Sequence, residues 1–392
     1  SYPGAQCDVE SMEYSYSFSE ELQQEWKWSN RFSAQPEILQ YANYVSQKFD
    51  LRSNIVFNTR VTSAQYNDET KKWLIKTNSN FVYSAKLPKR AEGFDWSDVL
   101  PGNTSKTVWN EYLTFDELPQ VMNPKSGFIQ NCNNTPFITT TGDGNPDRSL
   151  FSETLGIESR MSNRALRAME LFGNDDKISQ EEFEEYKYDL KYSDESYMSL
   201  FIDRLVAKSS EFEDEKLIEG VRILKSWDKN TNIENMNASL PIISFGWFVE
   251  THPDDISDET LVDSFKDAVS YLYNHYGKLD VMWGNVNRLI RGDVNLGLAG
   301  GPDISHAVYG LPNENGQIKG WAGDAFLMLV EWGKDGVSSE SIHQFGSNTQ
   351  HQDSEHYADQ TKLFVERKLK PVWRELKSIK ENMEKVYRPG KD

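Results

Sequence analysis

Residues 127–137 read Gly127-Phe128-Ile129-Gln130-Asn131-Cys132-Asn133-Asn134-Thr135-Pro136-Phe137. Asn131, Asn133 and Asn134 follow the apolar Gly127-Phe128-Ile129 and precede Pro136, so neutral amide donors sit on a constrained turn. Asparagine favours turns because its side chain bonds the local backbone. By residue type alone that plain reading outweighs a chemical one. The chemical alternative is an oxyanion hole, in which a side-chain NH₂ group stabilises the negative charge that develops on an attacked carbonyl.

Downstream of this turn the chain reads as helices. From Ser162, Ala165, Met169 and Phe172 mark one apolar stripe; Met198, Phe201, Ile202 and Leu205 mark a second. Leu217, Ile218, Val221 and Leu224 mark a third, and residues 260–276 repeat the pattern with Leu261, Val262, Phe265, Ala268, Val269 and Leu272. These three- and four-residue steps are the period of an amphipathic helix. Ser179-Gln180-Glu181-Glu182 fits a capping box. Between about 278 and 345 the sequence turns Gly-rich, with short apolar runs such as residues 325–330 that suit strands. A basic helix is expected from about Ala358 to Tyr387.

Upstream, residues 80–155 are irregular and rich in Pro, Gly and Asn. A helix is expected from about Gln35 to Phe49, on Leu39, Ala42, Val45 and Phe49. Strand-like runs at 54–66 and 72–77 flank the polar turn Asn67-Asp68-Glu69-Thr70. Residues 1–34 read as loop with short elements, and the main domain boundary is placed near residue 80.

The whole chain has 392 residues, with 42 Lys and Arg against 61 Asp and Glu, a net charge of −19. That acidity argues against a nucleic-acid partner, because phosphate binding rests on clustered cations. No uninterrupted apolar run is long enough for a bilayer-spanning helix. The two cysteines, Cys7 and Cys132, allow one disulfide at most.

Three motifs fail on their chemistry. Gly142-Asp143-Gly144-Asn145-Pro146-Asp147 follows the strand-like run 137–141 and imitates a dinucleotide-binding loop. Asp147 replaces its third glycine and would bring a carboxylate towards a pyrophosphate, so a plain loop is expected. Asp175 to Glu182 imitates half of an EF-hand, but its register puts Leu171 and Gly173 at ligand positions. A helix start is the better reading. The six histidines, His252, His275, His306, His343, His351 and His356, form no H-E-x-x-H pair.

Family resemblance changes the weight of the Asn133 turn. Residues 89–103, 107–137, 156–172, 323–331 and 354–360 resemble the C-terminal part of the penicillin-amidase family of N-terminal-nucleophile hydrolases. The resemblance implies cleavage of a linear amide to release an acyl group, as in penicillins, acyl-homoserine lactones or lipopeptides. It implies Asn133 as the oxyanion side chain and Arg160 as its support and that of the tetrahedral intermediate. Asp147 is the candidate calcium ligand. The chemistry needs no cofactor, since a free N-terminal serine attacks and its own α-amine is the base. The role of His356 is left open, because the position of Glu355 before it is commonly Pro in the family.

Residues 2–79 resemble flavin-dependent Baeyer–Villiger monooxygenases, through Tyr2-Pro3-Gly4-Ala5-Gln6-Cys7-Asp8, Tyr14 to Ser19 and Arg31 to Leu39. This second resemblance implies FAD and NADP as cofactors, with Asp8 near them, but the Gly-rich loops that hold their phosphates are missing from the sequence. Together the two resemblances imply an α+β chain. Residues 1–80 would be a fragment of an α/β FAD/NADP-binding fold, and 81–392 part of an αββα sandwich with a helical insertion at about 160–280. The expected substrate is a small-molecule acyl amide. The expected partner is the missing amidase portion carrying the nucleophilic serine, without which this chain is expected to be inactive. Ser1 is read as the cut end of a fused fragment. The amidase resemblance implies a periplasmic or secreted protein and the monooxygenase resemblance a cytoplasmic one.

Overall fold

A computed structural model describes residues 11–16, 18–54, 65–67, 72–74, 80–82, 87–96, 98–333, 336–348, 350–384 and 386. The chain is mixed α and β and divides into two compact units. The larger comprises Asn78–Ile290 and Asn295–Asp324; the smaller comprises Ser1–Thr77, Arg291–Val294 and Ala325–Asp392.

The larger unit is built on capped helices. Ser162 Oγ accepts the Ala165 N–H and starts the helix Asn163–Gly173. Ser179 and Glu182 form the reciprocal capping box of Gln180–Lys187. Ser196, Asp214 and Ser257 likewise cap Tyr197–Ala207, Glu215–Ser226 and Asp258–Tyr276. Each cap satisfies an amide that would otherwise lack an acceptor and contributes roughly 1 kcal/mol. The longest of these helices, Asp258–Tyr276, stops at Gly277, whose left-handed φ of 71° closes the last turn.

Three of the four expected stripes, those at 198–205, 217–224 and 261–272, meet in one core, whereas Phe172 of the first packs against Phe128, Phe183 and Tyr186. Phe201, Leu205, Leu224, Leu240, Leu261, Phe265, Leu272 and Trp283 are buried together. Burying each large apolar side chain contributes about 1.5–3 kcal/mol. Gly220 lets its helix approach Asp258–Tyr276, since a Cβ there would lie 2.7 Å from the Phe265 ring. Against this core sits a four-stranded sheet in the order Val294–Gly297, Asn287–Arg291, Ile318–Gly323, Val308–Pro312. Asn287 pairs with Ile318 in a parallel register, while Val308 faces Gly323 antiparallel, with an irregularity at Tyr309/Gly310. A two-stranded pair joins Asn80–Val82 to Gln120–Met122.

In the smaller unit, Ser19 caps the helix Glu20–Glu25, and Gln35–Lys48 forms the helix expected at 35–49. Leu22, Tyr41 and Val45 are buried under Trp26, Trp28 and Tyr44. Within the two expected upstream strands, Gln65–Asn67, which takes in the first residue of the expected turn, and Lys72–Leu74 pair antiparallel, Tyr66 opposite Trp73; Asn54 ends the short turn Leu51–Asn54, and residues 55–64 and 75–77 lie outside the described residues. The runs after 325 are strands as expected: Phe326–Gly333 pairs with Gly336–His343, whose other edge holds Lys370–Pro371.

Two expectations are corrected. The single helix at 358–387 is instead two short helices, Thr361–Val365 and Leu376–Asn382, with a strand between them. Arg367 takes a positive φ of 56° and Pro371 carries no N–H, so a continuous helix cannot cross them. The strand-like run 137–141 joins no sheet among the described residues. Asn145 Oδ1 takes the backbone N–H groups of Thr139 at 2.8 Å and Thr140 at 3.2 Å, the donors a sheet ladder would need.

Candidate active site

The loop 130–145 is held in shape by its own amides. Asn134 Oδ1 accepts from Cys132 N at 2.9 Å, and Asn134 Nδ2 donates to Thr135 O at 2.8 Å. Gln130 donates from its backbone to Thr139 O and from its side chain to Ile138 O, both at 2.9 Å. Asn145 donates back to Thr140 O at 2.7 Å. The start of the 163–173 helix pins the same loop from outside: Ser162 Oγ donates to Cys132 O at 2.8 Å, and Thr135 N donates to Arg160 O at 2.8 Å.

Asn133 differs from its neighbours. Its backbone N–H is taken by Asn131 Oδ1 at 3.1 Å and its φ is 56°, a left-handed conformation that asparagine accepts more readily than most residues. This turns the side chain outward, where Oδ1 accepts from Arg164 Nη1 at 3.1 Å. A guanidinium has only donors, so the Asn133 atom facing it must be the carbonyl oxygen and Nδ2 must face away. Among the described residues Nδ2 carries no hydrogen bond, and Asn133 is exposed.

Arg164 is itself fixed. Its Nε donates to Asp303 Oδ1 at 3.1 Å, and Asp303 Oδ2 accepts the Asn163 N–H at 2.6 Å. Asn163 Nδ2 donates to Asp303 O at 2.8 Å. The Asp303 side chain is only 2% exposed. Burial pushes its carboxyl up, and the Asn163 N–H and Arg164 oppose this without cancelling it. Burial acts downward on Arg164, but the Asp303 carboxylate outweighs it and holds the guanidinium above its usual range. A fixed donor side chain backed by a buried ion pair is suited to meeting charge that develops outside it, because no reorientation is needed when the charge appears.

The other expected site residues fall as follows. Arg160 grips the loop through its carbonyl, its Nη1 is buried without a partner among the described residues, and its charge acts on Asp303. The guanidinium that reaches Asn133 belongs to Arg164. Asp147 caps the short turn Arg148–Leu150, accepting from Ser149 N at 2.9 Å and Ser149 Oγ at 2.7 Å, which lowers its pKa. Among the described residues no group of three or more His, Cys, Asp or Glu side chains is placed so that it could hold a metal ion. Asp8 lies outside the described residues. In the smaller unit His356 sits between Asp359 Oδ2 at 2.9 Å and Glu384 Oε2 at 3.0 Å. Cys132 is a free cysteine whose thiol burial pushes up, which disfavours the thiolate. Ser162 Oγ is occupied as donor and helix cap.

Residues 75–381 match the family model of penicillin amidase, more than half of the chain, and the chain belongs to the penicillin amidase family. A thermostable penicillin G acylase from Alcaligenes faecalis is 16% identical, with a TM-score of 0.46, over 81% of this chain and 66% of that one. A fragment is also homologous to Baeyer–Villiger monooxygenases. One from Pseudooceanicola batsensis is 45% identical over 85 residues, 22% of this chain and 16% of that protein. An acetone monooxygenase from a Gordonia species is 42% identical over 106 residues, 26% of this chain and 20% of that protein. The chain therefore spans about a fifth or less of the curated relatives it matches.

Proposed function

We propose that this chain contributes the oxyanion side of a hydrolase that cleaves a linear amide and releases an acyl group. Family membership supports amide hydrolysis. The observation that carries the role of this site is the geometry of Asn133: Oδ1 is held by Arg164 and Nδ2 faces outward. A hydroxyl nucleophile adds to the amide carbonyl, the carbonyl oxygen becomes negative, and Asn133 Nδ2 donates to it. The hydroxyl proton passes to the base that the resemblance implies, the serine's own α-amine, which returns it to the departing amine as the tetrahedral intermediate collapses to an acyl-enzyme that water then hydrolyses. Arg164 and Asp303 keep the amide oriented, and Arg160 supports the loop and adds positive charge nearby.

The substrate class is an acyl amide of the penicillin, acyl-homoserine lactone or lipopeptide kind. Neither hydroxyl nor thiol beside Asn133 suits the nucleophile, since Ser162 is engaged and the Cys132 thiol is buried. As the family resemblance implies, the nucleophile proposed is an N-terminal serine supplied by a further amidase portion that completes the αββα sandwich, and the chain alone is proposed to be inactive. The test is a chromogenic acyl-amide assay with and without a co-expressed serine-bearing portion. Turnover only in the pair supports the reading, and no turnover in either sinks it. A second reading rests on the monooxygenase fragment. Flavin absorbance with NADPH-dependent oxygen uptake in the same sample would favour it.

A further inference from the structure

Asp303, the buried partner of Arg164, sits in the turn after Gly301 with a left-handed φ of 55°. A non-glycine residue keeps that conformation only where its surroundings fix it. Three side chains grip the turn. Tyr192 Oη donates to Pro302 O at 2.6 Å, Asn163 Nδ2 donates to Asp303 O at 2.8 Å, and Tyr309 Oη accepts the Asp303 N–H at 3.3 Å. Tyr192 and Asn163 are buried, whereas the half-buried Tyr309 reaches onward to the exposed Glu250.

Tyr309 stands where the register of its strand shifts, between Tyr309 and Gly310, and such an irregularity re-aims a side chain. Its hydroxyl carries one proton. Because the oxygen accepts from Asp303 N–H, that proton goes to the other partner, Glu250 Oε1, at 2.5 Å. Burial, and then the bond to Glu250, push the Tyr309 pKa up, so the hydroxyl keeps its proton. One line of hydrogen bonds therefore runs from Glu250 through Tyr309, Asp303 and Arg164 to Asn133.

We propose that Tyr309 is a positioning residue for Asn133: with Glu250 orienting its hydroxyl, it anchors the Asp303 turn and so holds the Arg164 guanidinium that turns Asn133 Nδ2 outward. The functional part of this inference rests on the reading of Asn133 as the oxyanion donor. The test is proton exchange at the Arg164 Nε–H, followed by NMR of the arginine-labelled full chain and assigned with Arg164→Lys. Tyr309→Phe should speed that exchange about tenfold, and Glu250→Ala, at an exposed position, about threefold. The Nε–H of Arg167, one turn on in the same helix and bonded to Asp189 Oδ2 at 2.9 Å, should not change, whereas general destabilisation would move both. In the chain paired with a serine-bearing portion, Tyr309→Phe should lower kcat about tenfold with KM little changed, and add nothing further to Asn133→Gly. Unchanged Arg164 exchange in the two variants, equal acceleration at Arg167, or a kcat that falls in Asn133→Gly but not in Tyr309→Phe would overturn the proposal. Losses that multiply in the double variant would do the same. An unchanged kcat in Asn133→Gly would instead overturn the oxyanion reading, and the exchange measurement, which needs no substrate, would still decide whether Tyr309 holds Arg164.

Discussion

Arg164 stands between Asn133 and Asp303, donating from Nη1 to Asn133 Oδ1 and from Nε to Asp303 Oδ1, each at 3.1 Å. One planar guanidinium thus reads an exposed amide at one edge and a buried carboxylate at the other. The arrangement links a loop residue to a residue 139 positions beyond the arginine. It also fixes which way the amide of Asn133 points.

The ion pair behind Asn133 sets the first expectation. Arg164→Met leaves the Asp303 carboxylate buried without its cation, and stability should fall by about 3–5 kcal/mol. Adding Asp303→Asn should restore part of that loss, because the unpaired charge is gone. Urea unfolding of the single and double variants measures both, and purely additive losses would contradict the coupling.

Backbone strain separates folding from chemistry at Asn133. With φ at 56°, Asn133→Gly should change stability by no more than a few tenths of a kcal/mol, whereas Asn133→Val should cost roughly 1–2 kcal/mol. Thermal unfolding of the two variants checks this. Equal stability in both would show that the left-handed turn is not maintained.

Core packing gives a third. Gly220→Val should destabilise by about 1–3 kcal/mol through collision with the Phe265 ring, and Phe265→Ala should cost about 3–5 kcal/mol through the cavity it leaves. Denaturant midpoints report both. A neutral Gly220→Val would mean that the two helices lie further apart than described.

Much of this architecture was legible because it is local. The helix expected from Ser162 begins there, and Ser179-Gln180-Glu181-Glu182 forms the capping box that its spacing predicts. The amide-rich turn was legible by residue type, but Asn133 is singled out among its three asparagines only by the family resemblance. Arg164 and Asp303 were not legible, since their pairing spans 139 residues and no local pattern marks it. Arg160 is offered by family spacing, yet the helix that begins after Ser162 turns Arg164 towards Asn133. The helix expected over 358–387 is interrupted at Arg367, whose positive φ of 56° no local pattern marks, and at Pro371. At 137–141, β-prone Phe, Ile and Thr suggested a strand, but Asn145 captures the local donors first.

His356 provides a pH signature in the smaller unit. Asp359 and Glu384 raise its pKa, so its protonated form is favoured in the folded chain. A raised histidine stabilises fully below the unfolded value of about 6.5 and loses that contribution as pH rises through the folded value. An NMR titration should place its midpoint above about 6.5, and Asp359→Asn should lower it. A midpoint that does not move in the variant would remove the pairing.

The most direct measurement is kcat for acyl-amide hydrolysis by the chain paired with its serine-bearing portion, with Asn133 intact and in Asn133→Gly. Loss of an oxyanion donor is expected to lower kcat about 10²- to 10³-fold with KM little changed and folding intact. An unchanged kcat in the folded variant would contradict the role assigned to Asn133.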